Sequence, residues 1–128
     1  MNENASRISQ AELEVMKILW QNSGAVSTGD ICKKLSEQME WDRSTVRTLL
    51  KRLTDKGSVI TKKLNVLCYM PAVSEKEYCD VQTRSFVERL YGGSAKRLVS
   101  SLVENYDLTP SDIEELRDLL KSGGAENE

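Results

Sequence analysis

WDRSTVRTLLKRL, residues 41–53, followed at once by TDKGSVITKK, residues 54–63, is the stretch whose reading decides the fold. Residues 41–63 hold seven Lys/Arg against two Asp, in a chain whose net charge is −2. Placed on a helical wheel, Val46, Leu49, Leu50 and Leu53 fall within about 100° of one another, the face that a helix over 43–56 turns to a core. Ser44, Arg47, Thr48 and Lys51 point the opposite way, with Thr45 and Arg52 on one flank. Asp42 can cap this helix and Gly57 takes the usual position after its C-terminus. A merely solvated helix alternates Glu and Lys at i,i+4, whereas the acids here are Asp42, at the dipole-favoured N-terminus, and Asp55. Two readings stand side by side: a charged face open to water, and a surface built for phosphate.

Upstream, Ser9 and Glu12 form a capping box, and Leu13, Val15, Met16, Ile18, Leu19 and Trp20 give the helix behind it a broad apolar face, ending near residues 22–24. Ser27, with Asp30 three positions on and Ile31 and Leu35 after it, opens a second helix that runs to about Met39. After Gly57 the helical period gives way to SVITKKLNVLCYMP, residues 58–71, two β-rich runs around Leu64 and Asn65 closed by Pro71. A lone hairpin is marginal in water, so this one must lean on the helices before it. Three helices and a hairpin describe a winged helix-turn-helix, mainly α with a small β-hairpin, with 43–56 as recognition helix and 58–70 as wing.

That architecture gives the basic helix a partner, because the DNA major groove admits one α-helix whose N-terminal residues reach base edges. The candidate contacts are Arg43 and Ser44 at the helix start, then Thr45, Arg47, Thr48, Lys51 and Arg52. Arg47 can give a guanine two hydrogen bonds, and Thr45 and Thr48 can offer a methyl to thymine or a hydroxyl to base or phosphate. Lys51 and Arg52 sit where the phosphate backbone passes, and Lys62 and Lys63, near the hairpin tip, can touch neighbouring phosphates. The alternative is a winged-helix protein-interaction module with no sequence-specific DNA binding.

From Ser74 the sequence is helical again, over SEKEYCDVQTRSFVERLY, AKRLVSSLVEN and DLTPSDIEELRDLLKSGG. Thr109, Pro110 and Asp112 mark a helix start, Gly123 and Gly124 a stop, and the tail AENE reads as disordered. Phe86, Val87, Leu90, Tyr91, Leu98, Leu102, Val103, Ile113, Leu116, Leu119 and Leu120, with Val81 and Val99, offer more apolar surface than one small wing covers. Burial between two copies, or folding back on the chain's own winged domain, are the two remedies. Charge divides at the same place: residues 1–73 carry 11 Lys/Arg against 8 Asp/Glu, a net of +3, and residues 74–128 carry 7 against 12, a net of −5. The expected organisation is a winged-helix DNA-binding domain over 1–73 and a helical dimerisation domain over 74–128.

The 128 residues are enough for one domain with a core, or for a small domain plus an assembly segment. At 39% hydrophobic and 30% charged the composition is that of a soluble globular protein. The start MNENASRISQ has no apolar h-region and no run approaches about 18 apolar residues, so a cytoplasmic protein with no direct membrane binding is expected. Cys32, Cys68 and Cys79 are odd in number, widely spaced and without any histidine, which indicates neither a disulfide framework nor a zinc site. No metal and no cofactor are expected. With no His and no Gly-rich phosphate loop, catalysis would fall to carboxylates that helix capping already explains, so the chain does not read as an enzyme.

ISQAELEVMKILW, residues 8–20, resembles the opening I-S-x-A-E-x-x-V-M-x-x-x-W of the penicillinase repressor family of winged-helix regulators. WDRSTVRTLLKRLTDKG is similar to that family's W-x-x-x-T-[VI]-[RK]-T-L-[LI]-x-R-L-x-x-K-G, and LVSSLVENYDLTPSDIEELRDLL, residues 98–120, to its last two helices. The likeness covers about residues 7–121. It implies a homodimeric bacterial repressor of antibiotic-resistance type, bound to double-stranded operator DNA at a palindrome with TACA/TGTA-type half-sites. Ser44, Thr45, Arg47 and Thr48 match the positions with the DNA-contacting role, and the C-terminal helices would form the dimer. Copper-responsive members end in a C-x-C pair, absent from KSGGAENE, so copper sensing by that route is not expected. In the β-lactam branch a membrane metalloprotease sensor cuts between Asn and Phe of LNFVE; the matching SSLVE places Ser101 and Leu102 at that bond. Inactivation by cleavage at Ser101–Leu102 is the corresponding expectation.

Overall fold

Serine and aspartate set the first three helix starts in the computed structural model, which describes residues 8–126. In α1 (Gln10–Trp20) the Ser9 hydroxyl accepts from the Glu12 N–H and the Glu12 carboxylate accepts from the Ser9 N–H, so the expected capping box is closed in both directions. Ser27 caps α2 (Thr28–Met39) by accepting from the Asp30 N–H, and Asp42 caps α3 (Arg43–Lys56) by accepting from the Thr45 N–H. Gly57 ends α3 at φ 79°, the left-handed conformation that only a residue without Cβ adopts freely.

The apolar faces of the three helices meet. Val15, Met16, Ile18 and Leu19 of α1, Ile31, Cys32 and Leu35 of α2, and Val46, Leu49, Leu50 and Leu53 of α3 are buried in one core, each large aliphatic contributing about 1.5–3 kcal/mol. The hairpin closes over this core. Its strands are β2 (Val59–Lys63) and β3 (Leu67–Pro71), antiparallel from Val59 opposite Pro71 to Lys63 opposite Leu67. A third strand, β1 (Val26–Ser27), pairs with the other side of β3, so the sheet order is β1-β3-β2. Two residues are too few to show an alternation in sequence. They pair because β3 would otherwise leave its ladder groups open next to the start of α2, where the Thr28 hydroxyl also donates to the Leu67 carbonyl.

Beyond the sheet, Val73 is fully buried and its carbonyl accepts from the Trp20 indole N–H at 2.8 Å, while the Tyr78 ring lies 5.6 Å from Trp20. Tyr78 belongs to α4 (Glu75–Tyr91), so the first compact unit extends past residue 73 into that helix and ends at Ser85. The change of composition at residue 73 thus falls inside this unit, whose packing carries on into α4.

The second unit begins at Phe86 and holds the end of α4, then α5 (Ala95–Asn105) and α6 (Pro110–Glu126). Gly92 and Gly93, at φ 58° and 85°, make the turn into α5. Arg97 donates to the Tyr91 carbonyl and lies 5.8 Å over the Tyr91 ring, and Ser94 caps α5 through the Arg97 N–H. Thr109 and Asp112 cap α6 reciprocally, with Pro110 at the first helical position as expected. Gly123 and Gly124 do not stop this helix, contrary to the sequence reading. Glycine costs about 1 kcal/mol in a helix but adopts helical φ as readily as left-handed φ, so α6 runs on to Glu126. Among the described residues no helix is long and apolar enough to cross a membrane.

Candidate nucleic-acid interface

With its aliphatic face buried, α3 turns Arg43, Ser44, Thr45, Arg47, Thr48, Lys51 and Arg52 to solvent, all seven exposed. Two shallow grooves flank this ridge. Arg47 and Lys51 line one, together with Thr28 at the start of α2 and Thr61, Leu67 and Tyr69 of the sheet. Ser44, Thr45, Thr48 and Arg52 line the other. The helix thus stands proud between two concave flanks, each with at least one guanidinium or ammonium.

Hydrogen bonds inside the helix decide what its hydroxyls can offer. The Ser44 hydroxyl donates to the Asp42 carboxylate at 2.8 Å, and the Thr48 hydroxyl donates to the Ser44 carbonyl at 2.9 Å. Both hydroxyl protons are engaged, which leaves oxygen lone pairs as acceptors for a base amino group. The Thr45 N–H and the Ser44 hydroxyl hold the Asp42 carboxyl below the usual carboxylate range, so the cap is ionised at neutral pH. Lys51 is 3.5 Å from Asp55, with both side chains mostly exposed, a contact too weak to withhold the ammonium from a phosphate.

The two wing lysines lie on opposite faces of β2. Side chains alternate along a strand, so Lys63 shares the face of Thr61, which lines the groove beside Arg47, whereas Lys62 lies on the face of Ile60 opposite Cys68. Only Lys63 is on the recognition-helix side. Lys56, one of the seven cations of the opening stretch, leaves the exposed set altogether. Its ammonium is 2.6 Å from Oε1 of Glu12, whose side chain is 2% exposed. Burial pushes the Glu12 carboxyl up, but the Lys56 hydrogen bond, the Ser9 N–H and the ammonium charge outweigh it and hold the group below its ordinary value. The wheel contained the signal: position 56 falls seven residues after Leu49, on the core face.

Cys32 and Cys68 are buried, Cys79 is exposed, and all three are free thiols. Among the described residues no three His, Cys, Asp or Glu side chains cluster in a way that could hold a metal. In the second unit Phe86, Leu90, Leu102, Val103, Ile113, Leu116, Leu119 and Leu120 are exposed, and Val87, Tyr91 and Leu98 half-buried. Ser101 and Leu102 lie in the middle of α5, where the Ser101 carbonyl also accepts from the Asn105 side-chain amide at 2.8 Å.

The model of the penicillinase repressor family matches residues 8–122, through both units. The chain belongs to that family. It is 37% identical over 116 residues to the penicillinase repressor of Bacillus licheniformis, covering 90% of each chain. It is 36% identical over 121 residues to the methicillin resistance regulatory protein MecI of Staphylococcus aureus, covering 94% of this chain and 98% of that one. Two solved structures are similar to it. The solution structure of the DNA-binding domain of the repressor BlaI superposes with a TM-score of 0.53 at 38% identity, covering 61% of this chain and 94% of that one. The monomeric form of Bacillus licheniformis BlaI in complex with the blaP half-operator gives 0.51 at 40% identity, covering 56% and 88%. The winged-helix architecture expected of a penicillinase repressor family member is therefore the one found.

Proposed function

We propose that this penicillinase repressor family member is a transcriptional repressor that sets α3 in the major groove of double-stranded operator DNA. The observation that carries the reading is the exposed row on α3, where a guanidinium, an ammonium and acceptor hydroxyls share one ridge while the aliphatic side is spent on the core. The similar BlaI monomer bound to its half-operator supports the same use of this unit. Arg47 reads a base edge, Ser44, Thr45 and Thr48 adjust the contact, and Arg43, Lys51, Arg52 and Lys63 meet phosphates. No step of this function is catalytic, and a repressor of this kind works in the cytoplasm.

Two copies act together in this reading, joined through the uncovered apolar residues of α4, α5 and α6. A two-fold pair of recognition helices calls for a palindrome, here with TACA/TGTA-type half-sites. Release comes from a membrane metalloprotease sensor that cuts Ser101–Leu102. Because that bond is held in mid-helix, cutting waits on local opening of α5. Intact mass after co-expression with a sensor and its inducer tests this step, and a chain that stays whole rejects it.

Selection of bound fragments from random duplex DNA tests the main reading. The expected product is a two-fold symmetric consensus. Enrichment of no sequence would replace the repressor by a protein-interaction module, and enrichment of one unpaired half-site would remove the dimer.

A further inference from the structure

We propose that the Glu12–Lys56 ion pair is a register lock for the recognition helix, fixing the rotation of α3 and thereby operator specificity without touching DNA. The proposal rests on the reading of α3 as the DNA-reading element. Val46, Leu49, Leu50 and Leu53 hold α3 in the core, but apolar burial has no direction and does not by itself name one rotation of the helix about its axis. A rotation of α3 about its own axis by about 20° would move a side-chain tip about 6 Å from the axis by about 2 Å. That displacement is enough to lose a two-bond contact to a base, whose hydrogen bonds span only about 2.7–3.2 Å.

The ion pair supplies the missing direction. Lys56 is the last residue of α3, and its ammonium reaches Oε1 of Glu12 at 2.6 Å. Glu12 cannot follow a rotating helix, because the same oxygen accepts the Ser9 N–H at 2.8 Å and so belongs to the cap of α1. The first turn of α1 is thereby tied to the last turn of α3. Burial of the pair, with Glu12 2% and Lys56 24% exposed, makes it a poor source of net stability and a good source of a unique arrangement. Lys56 spends its charge inside the protein, so it neutralises no phosphate.

Removing Lys56 alone would strand a buried carboxylate and endanger the fold, so the test uses two double variants of the full chain. Glu12→Gln/Lys56→Met keeps an acceptor for the Ser9 N–H, and Glu12→Leu/Lys56→Met makes the site apolar. Each is titrated with the selected operator and with random duplex across a salt series, beside circular dichroism. Helical content like the parent's, a parent-like salt slope and a fall of about tenfold or more in the operator-to-random ratio are expected. An unchanged ratio would show that apolar packing alone sets α3. A slope reduced by about one would make Lys56 a phosphate contact instead. Loss of helical content in both variants would reduce the pair to a stability element and overturn its role in specificity. Absence of any operator preference in the parent would instead sink the DNA reading itself.

Discussion

Arg47 lines the groove between α3 and the sheet, with no ion pair of its own among those of the described residues, so its guanidinium is free to meet a base edge. Arg47→Ala should weaken operator binding by about 1–3 kcal/mol and relax discrimination at one base position, read in titrations against operators changed one base pair at a time. A variant that binds every such operator like the parent removes Arg47 from the reading set. Single residues were legible in the sequence wherever helical period alone fixes their direction, as with Val46, Leu49, Leu50 and Leu53. What periodicity does not carry is the partner. That the Ser44 and Thr48 protons are engaged follows from short-range geometry at the cap, and that Lys56 is paired follows from Glu12, 44 residues away, being brought beside it.

The hairpin illustrates the same limit among elements. Its existence follows from the switch of period after Gly57, yet β1 follows only from the edge that β3 presents, and the continuation of α6 through Gly123 and Gly124 from glycine's indifference to φ. Strand alternation then makes the two wing lysines unequal. Lys63→Ala should weaken operator and random duplex alike and lower the salt slope by about one, whereas Lys62→Ala should leave the slope nearly unchanged. Equal slopes for the two variants would mean that the wing approaches DNA by its tip rather than by its Thr61 face. At the junction of α1 and α3, the Glu12 carboxyl is held below its ordinary value of 4.5. Above 4.5 both folded and unfolded chains carry the charge and the contribution is complete. As pH falls below it, the unfolded chain takes a proton that the folded chain resists, so stability drops. Glu12→Gln should flatten that part of the stability curve, measured as thermal midpoint against pH, and a parallel curve would assign the acid loss to other carboxylates.

On the scale of the molecule, the two halves were legible as a change of charge from +3 over residues 1–73 to −5 over 74–128, but where packing divides them was not. Composition shifts at 73, whereas Val73 and Tyr78 still belong to the first unit, because the contact between Trp20 and Tyr78 joins residues far apart in sequence. The second unit buries no residue in α5 and leaves Leu119 and Leu120 of α6 67% and 70% exposed. Apolar surface on that scale favours association, and the net charge of −5 over residues 74–128 disfavours contact of that unit with a polyanion. Leu116 lies on the α6 stripe between Ile113 and Leu120, so Leu116→Asp sets a charge where two copies would meet without disturbing α3. Its effect should be one of mass action. Affinity for a single half-site should match the parent's, while occupancy of the full palindrome should require much higher protein concentration and rise more steeply with it. Sedimentation of the variant and parent over the same range reads the assembly directly. If both sediment alike and fill the palindrome at the same concentration, the stripe on α6 is not where the copies join.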